Sequence, residues 1–169
     1  LRGPPLYAYA VIALVVVGGA VLAGFKVRDV RLTGQIESAR DSADQAAVSD
    51  AYPGYLMALD GYARIAAADD ELANRAAHAA MAARMAAEVG EGLDQARRLV
   101  SWLGQETGPA EVQAARGFLA VAEEDAARAT AAAAALRKEA PDNPAGLYLA
   151  GRAALLGGRP AEAAQLLHG

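Results

Sequence analysis

The chain opens on an unbroken apolar run and then changes character. From Leu6 to Phe25 it reads LYAYAVIALVVVGGAVLAGF, with no charged residue. As a helix rising about 1.5 Å per residue this stretch spans roughly 30 Å, the thickness of a bilayer's hydrocarbon core. Tyr7 and Tyr9 stand at one end, where amphipathic rings favour the headgroup region, and Lys26, Arg28 and Arg31 flank the other. The pattern predicts a single transmembrane anchor within residues 1–25, with the bilayer as its partner. A cleavable leader is a second reading, because Val21-Leu22-Ala23 resembles a small-residue cleavage site, but Pro4-Pro5 stands where a basic start is usual. A buried core helix is a third; it needs an equally apolar partner surface, and no later segment offers one. Gly19 with Ala23, and Ala20 with Gly24, form two small-xxx-small pairs that suit close packing on another membrane helix, in a homo- or hetero-association. Lys26, Arg28, Arg31 and Arg40 favour a cytoplasmic location for the C-terminal part, but only Arg2 speaks for the other flank, so the side stays open.

Beyond the run, the polar and apolar positions adopt helical spacing. Residues 26–50 predict a juxtamembrane helix with a weak stripe of Ile36, Ala39, Ala43, Ala46 and Ala47, and with Gly34 as a point of breakage. Pro53-Gly54 signals a turn. Tyr55, Leu59, Tyr62, Ile65 and Ala66 mark one face of a helix over 54–67, and Tyr52, Tyr55 and Tyr62 form its expected packing nucleus. Asp69-Asp70 read as the cap of a helix that runs to Val89. Gly90 and Gly92 separate it from Leu93–Leu103, and Gly104 and Gly108 end that segment. Four more helices are expected over Pro109–Ala122, Asp125–Glu139, Pro144–Leu156 and Pro160–Leu167, three of them opened by a first-turn proline. Composition agrees with an all-α reading. Apolar residues make up 54% and aromatics 5%, and alanine alone exceeds a quarter of the chain. Such a chain packs helices closely through small side chains rather than building alternating strands.

The later helices repeat. Gly117 and Gly151 are 34 residues apart, as are Ala129 and Ala163; Ala96 precedes Ala129 by 33. Two helices per 34 residues indicate a helical solenoid, in which each unit buries its apolar stripe only against a neighbour. The segment PDNPAGLYLAGRAALLGGRPAEAAQLL resembles the tetratricopeptide repeat family. The likeness lies in Leu147, Gly151, Gly158 at the turn, Ala163 in the second helix and Pro141 closing the preceding unit. The preceding unit matches through Gly117 and Ala129 and departs at Arg116 and Glu124, where the family has a large apolar residue and a turn glycine. The likeness covers 77–169 well and 35–76 loosely. It implies a TPR-like α-solenoid of about three to four helix hairpins over 51–169, whose first helices line a concave groove for protein partners. Carried over by repeat phase, that groove would hold Met81, Met85, Phe118, Val121, Tyr148, Leu149 and Arg152, with Arg152 placed to meet a carboxylate or a chain terminus.

Charge and motif content narrow the function further. Sixteen Lys+Arg against twenty Asp+Glu give −4, which argues against a nucleic-acid partner. Absence of cysteine removes thiolate ligands and nucleophiles. No phosphate-loop, zinc-protease or nucleophile-elbow motif occurs, so neither catalysis nor a cofactor is expected. His78, Met81 and Met85 fall at i, i+3 and i+7, a conceivable soft-metal set, but without a fourth ligand they read as a core stripe. The acidic triplets Asp69-Asp70-Glu71 and Glu123-Glu124-Asp125 lack the alternation of a calcium loop and read as helix caps. Arginine outnumbers lysine fourteen to two, a bias associated with GC-rich bacterial genomes. The expected function is a non-enzymatic, membrane-anchored scaffold that binds protein partners in a bacterial envelope complex. Two alternatives are the middle segment of a membrane-bound sensor or kinase with its catalytic domain elsewhere, and an accessory subunit of a large membrane complex. Leu166 and Leu167, in a short last helix without a polar capping helix, lead us to expect further repeats or a covering partner.

Overall fold

The structure, a computed structural model, describes residues 33–48 and 51–168. The anchor over 1–25, its packing residues Gly19, Ala20, Ala23 and Gly24, and the first part of the juxtamembrane segment lie outside the described residues. Among the described residues no helix is long and apolar enough to cross a membrane. The chain divides into two compact units, Leu1–Ser38 and Ala39–Gly169, of which the second holds the core and the clefts.

Eight helices make up the described residues: α1 over 33–48, α2 Tyr52–Ala68, α3 Leu72–Val89, α4 Leu93–Trp102, α5 Ala110–Ala122, α6 Ala126–Glu139, α7 Pro144–Leu156 and α8 Pro160–His168. Gly34 lies in the first described turn of α1, and the segment before residue 33 that it was expected to break from lies outside the described residues. One expected break is absent. Pro53-Gly54 lies inside α2, because the first turn of a helix leaves its N–H groups unpaired and loses nothing to proline. The Asp69-Asp70 cap is also absent. Glu71 is the N-cap of α3 and makes no side-chain cap bond. Instead the Asn74 amide donates to the Asp69 carbonyl at 3.1 Å, and Asp70 pairs with Arg75 at 3.4 Å. At the other acidic triplet the cap does form, with the Asp125 carboxylate accepting from the Arg128 N–H at 2.9 Å.

Packing is sequential, each helix lying on the next, with α5 bridging more widely. The α3–α5 interface is the most extensive, and α5 also touches α7. The main core runs from α3 to α7 and consists mostly of alanine, with Phe118, Leu119, Val121, Leu136 and Leu149 as its larger members. A second cluster joins α1, α2 and α3 through Ala47, Tyr55, Ala58, Met81 and Met85. A third joins α3 and α5 through Ala76, Ala79, Leu103, Val112 and Ala115. Small side chains bring the backbones close together. A Cβ on Gly61 would stand 2.9 Å from that of Ala43, and one on Gly117 would stand 2.6 Å from Leu149 Cδ1.

The 34-residue period is written into the backbone. Left-handed residues end α3, α5 and α7 at Gly90 (φ +79°), Glu124 (φ +56°) and Gly158 (φ +70°), each 34 after the last. The bonds around the last two coincide. Asp125 N–H donates to Ala120 O and Arg159 N–H to Ala154 O, both at 2.8 Å; Glu124 donates to Val121 and Gly158 to Leu155, both at 3.0 Å. This double closure satisfies carbonyls that the helix end would leave unpaired. Glu124 therefore takes a glycine's conformation without being one. The period does not extend upstream, since position 56, one period before Gly90, lies well inside α2.

Candidate functional site

The seven residues expected at a partner surface divide by burial. Met81, Met85, Phe118, Val121 and Leu149 are all at most 6% exposed and belong to the clusters above. Tyr148 and Arg152 are only partly covered. The helical register explains the division: α7 turns Leu149 onto Gly117 and leaves its neighbour Tyr148 at the edge, where its ring meets Phe118 at 6.0 Å between centroids.

Tyr148 and Arg152 meet Glu88 of α3. The Tyr148 hydroxyl donates to Glu88 Oε1, while Arg152 Nη1 donates to the same hydroxyl at 2.6 Å and to the two Glu88 oxygens at 3.1 and 3.2 Å. The Arg152 guanidinium lies 5.7 Å from the Tyr148 ring centroid, within cation–π range. Burial, reinforced by the hydrogen bond to the Glu88 carboxylate, pushes the Tyr148 hydroxyl up to about 12. Burial works against the Arg152 charge, but the Tyr148 and Glu88 oxygens outweigh it and hold its pKa above the ordinary value. At neutral pH Arg152 thus keeps its charge and the Tyr148 hydroxyl its proton.

Two clefts flank Arg84, which sits one turn before Glu88 on α3. One, of about 420 Å³, is bordered by Tyr52, Tyr55, Glu88 and Tyr148; the other, of about 390 Å³, by Arg40, Asp44, Tyr62, Met81, Glu111 and Phe118. The Arg84 guanidinium lies 5.3 Å from the Tyr55 ring centroid, and Nη1 donates to the Ala47 carbonyl at 3.4 Å. Tyr62 donates to Asp44, and burial together with that bond raises its pKa. Tyr52 donates to Glu91 at 2.7 Å. The expected packing nucleus thus divides: Tyr55 is core, while the hydroxyls of Tyr52 and Tyr62 reach carboxylates at the surface.

This strip, running over α1, α2, α3 and α7, offers cations, carboxylates and phenol rings in alternation. Tyrosine and arginine are the side chains that most often anchor protein interfaces. A planar guanidinium held by a phenol can exchange Glu88 for an incoming carboxylate or amide oxygen. Repeat phase alone does not single out Arg40, Asp44, Arg84 or Glu88. The signal that could have found them is the i, i+4 pair Arg84/Glu88 on α3, matched by Tyr148/Arg152 on α7.

The His78, Met81 and Met85 set does not converge. The methionines face Tyr55 and Ala58, whereas His78 borders a separate cleft with Leu99 and Trp102. The side chain of His168 lies outside those described.

No family model, curated protein or solved structure matches the chain.

Proposed function

We propose that this protein is a membrane-anchored scaffold whose helix pairs form a TPR-like array and bind protein partners through the Arg84–Glu88–Tyr148–Arg152 strip. The anchor is the apolar run Leu6–Phe25, whose length suits a bilayer. The 34-residue recurrence of left-handed caps and of glycine approaches supports the repeat assignment. The observation that carries the binding role is the strip itself. Half-covered tyrosines and arginines from non-consecutive helices converge beside two clefts, a composition suited to recognising a peptide or a partner helix. Tethering such a surface to a membrane restricts its partners to that surface and raises their effective concentration there.

The test is co-purification of the full chain in mild detergent. A partner present at fixed stoichiometry should be lost in the double variant Y148A/R152E and retained in T130E, on the exposed side of α6. Retention in both variants, or loss in both, would count against the strip as the binding surface.

A further inference from the structure

A cleft of about 330 Å³ lies between α4, α5 and α6 and shares no residue with the strip. We propose that it binds a small monocarboxylate with a short apolar body. Two polar side chains are buried among the described residues, Asn74 and Gln113. Asn74 is satisfied at both ends of its amide: the oxygen accepts from Arg40 Nη2, and the nitrogen donates to the Asp69 carbonyl at 3.1 Å. Gln113 is 7% exposed, yet its amide has no hydrogen-bond partner among the described residues. His78 Nε2 and Arg40 Nε are shut off from solvent, whereas the Gln113 amide opens on the cleft that its side chain lines. An apolar side chain would avoid the cost of burying an unbonded amide here. Gln113 instead holds a donor and an acceptor ready for whatever enters the cleft.

One turn further along α5, Arg116 supplies the charge. Its Nη2 donates to the carbonyls of Gly104 and Glu106 at 3.0 and 2.7 Å, which fixes the guanidinium against the loop after α4. Those bonds occupy Nη2 and leave Nε and Nη1 uncommitted, and no carboxylate pairs with Arg116 among the described residues. Arg128, which also borders the cleft, is different: Glu123 and Asp125 neutralise it at 2.5 and 2.6 Å. The lining thus holds two guanidinium groups, one of them unbalanced, and no carboxylate.

One unbalanced positive charge suits a ligand with one negative charge. Side chains three apart on a helix share a face, so Gln113 and Arg116 offer neighbouring donors, and the two oxygens of a carboxylate can meet one each. Val100, Leu119, Ala131 and Ala132 make up the rest of the wall. Against these methyl groups the second charge of a phosphate would lose its hydration and find no free cation, whereas an apolar body on the carboxylate is favoured. The volume stands near the lower end of the range for small-molecule sites, which limits that body to a short one.

The experiment uses the full chain in lipid nanodiscs, with hexanoate and its neutral counterpart hexanamide as probes and empty nanodiscs as background. Nuclear magnetic resonance on isotope-labelled glutamine and arginine reads the Gln113 amide protons and the Arg116 Nε–H. Hexanoate should shift both saturably, and hexanamide should bind about tenfold more weakly, the loss of a charge-assisted bond. In R116Q the two probes should bind within about threefold of each other. Q113M should weaken hexanoate about fivefold, read at Arg116, and should unfold no earlier than the native chain, because no internal bond is lost. A131F fills the cleft from an exposed position on α6 and should abolish the shifts. Shifts that never saturate would mean that water alone fills the cleft and would overturn the proposal. Equal binding of the two probes to the native chain, a preference for hexanoate that survives R116Q, shifts that persist in A131F, or a Q113M chain that unfolds earlier would do the same.

Discussion

Replacing Gly117 by alanine tests the closest helix approach in the main core. The added Cβ would lie 2.6 Å from Leu149 Cδ1 and 3.3 Å from Cδ2, with Ala132 Cβ at 3.4 Å. Carbon atoms in contact normally sit about 3.5–4.0 Å apart, so the first distance is short by roughly 1 Å. Leu149 is 0% exposed and has nowhere to turn, so α5 and α7 must separate. Overpacking of this kind costs about 1–3 kcal/mol, while exchanging glycine for alanine within a helix returns about 1 kcal/mol. The expected net loss is therefore about 1 kcal/mol, a fall of about 4 °C in melting midpoint for a unit of this size. Gly151 provides the control from the same chain. Its Cβ would meet Leu167 Cγ at a similar 2.6 Å, but Leu167 is 43% exposed on the last helix and free to swing outward. G151A should then be neutral or gain up to about 1 kcal/mol from helix propensity. Thermal unfolding followed by circular dichroism on the full chain in mild detergent measures both. A G117A midpoint equal to or above that of G151A would refute the argument that the mobility of the neighbour, not the bare interatomic distance, sets the cost.

Glu124→Gly should stabilise the chain by about 1 kcal/mol, because a left-handed residue with a Cβ carries a penalty that glycine avoids; an unchanged or lowered unfolding midpoint would contradict it. Glu123 bridges Arg97 at 2.7 Å and Arg128 at 2.5 Å, and the Arg97 bond, with that of Arg128 second, holds its pKa below the ordinary value. A carboxylate with a depressed folded pKa adds stability above its unfolded pKa and loses it as pH falls through the folded one. E123Q should therefore cost about 1 kcal/mol at pH 7, a difference that disappears under acid conditions below the depressed pKa; a pH-independent difference in urea midpoint would argue for packing instead of charge.

The helices are legible in the sequence because glycine and proline punctuate the chain. Gly90, Gly92, Gly104 and Gly108 separate segments, Pro144 and Pro160 open helices, and Asn143 caps α7 with a bond to the Ala145 N–H. The repeat phase is legible because glycine stands at both 117 and 151, where a leucine of the following helix, Leu149 or Leu167, lies close against it. Which face of each helix turns inward is much less so. In α3 and α6 alanine occupies nearly every side, and the contrast that reveals a buried stripe is faint. Met81 and Met85 on α3 therefore give no sign of the side they face, and they lie in the core, as do Phe118 and Val121 of α5 and Leu149 of α7. The Pro53-Gly54 pair misleads for a different reason, since a proline that ends one helix looks the same as one that begins another. The meeting of Glu88 with Tyr148 spans 60 residues and depends on how α3, α5 and α7 stack, which no local pattern records.

Most contacts in this unit join helices that are neighbours in the chain or one step beyond, whereas Glu88 reaches from α3 to Tyr148 and Arg152 on α7. That trio works as a clasp across α5. A molecule that drew Arg152 away from Glu88 would leave α7 and α8 packed on α5 and α6 alone. On the proposed reading, occupancy of the surface would thereby be joined to flexure of its far end.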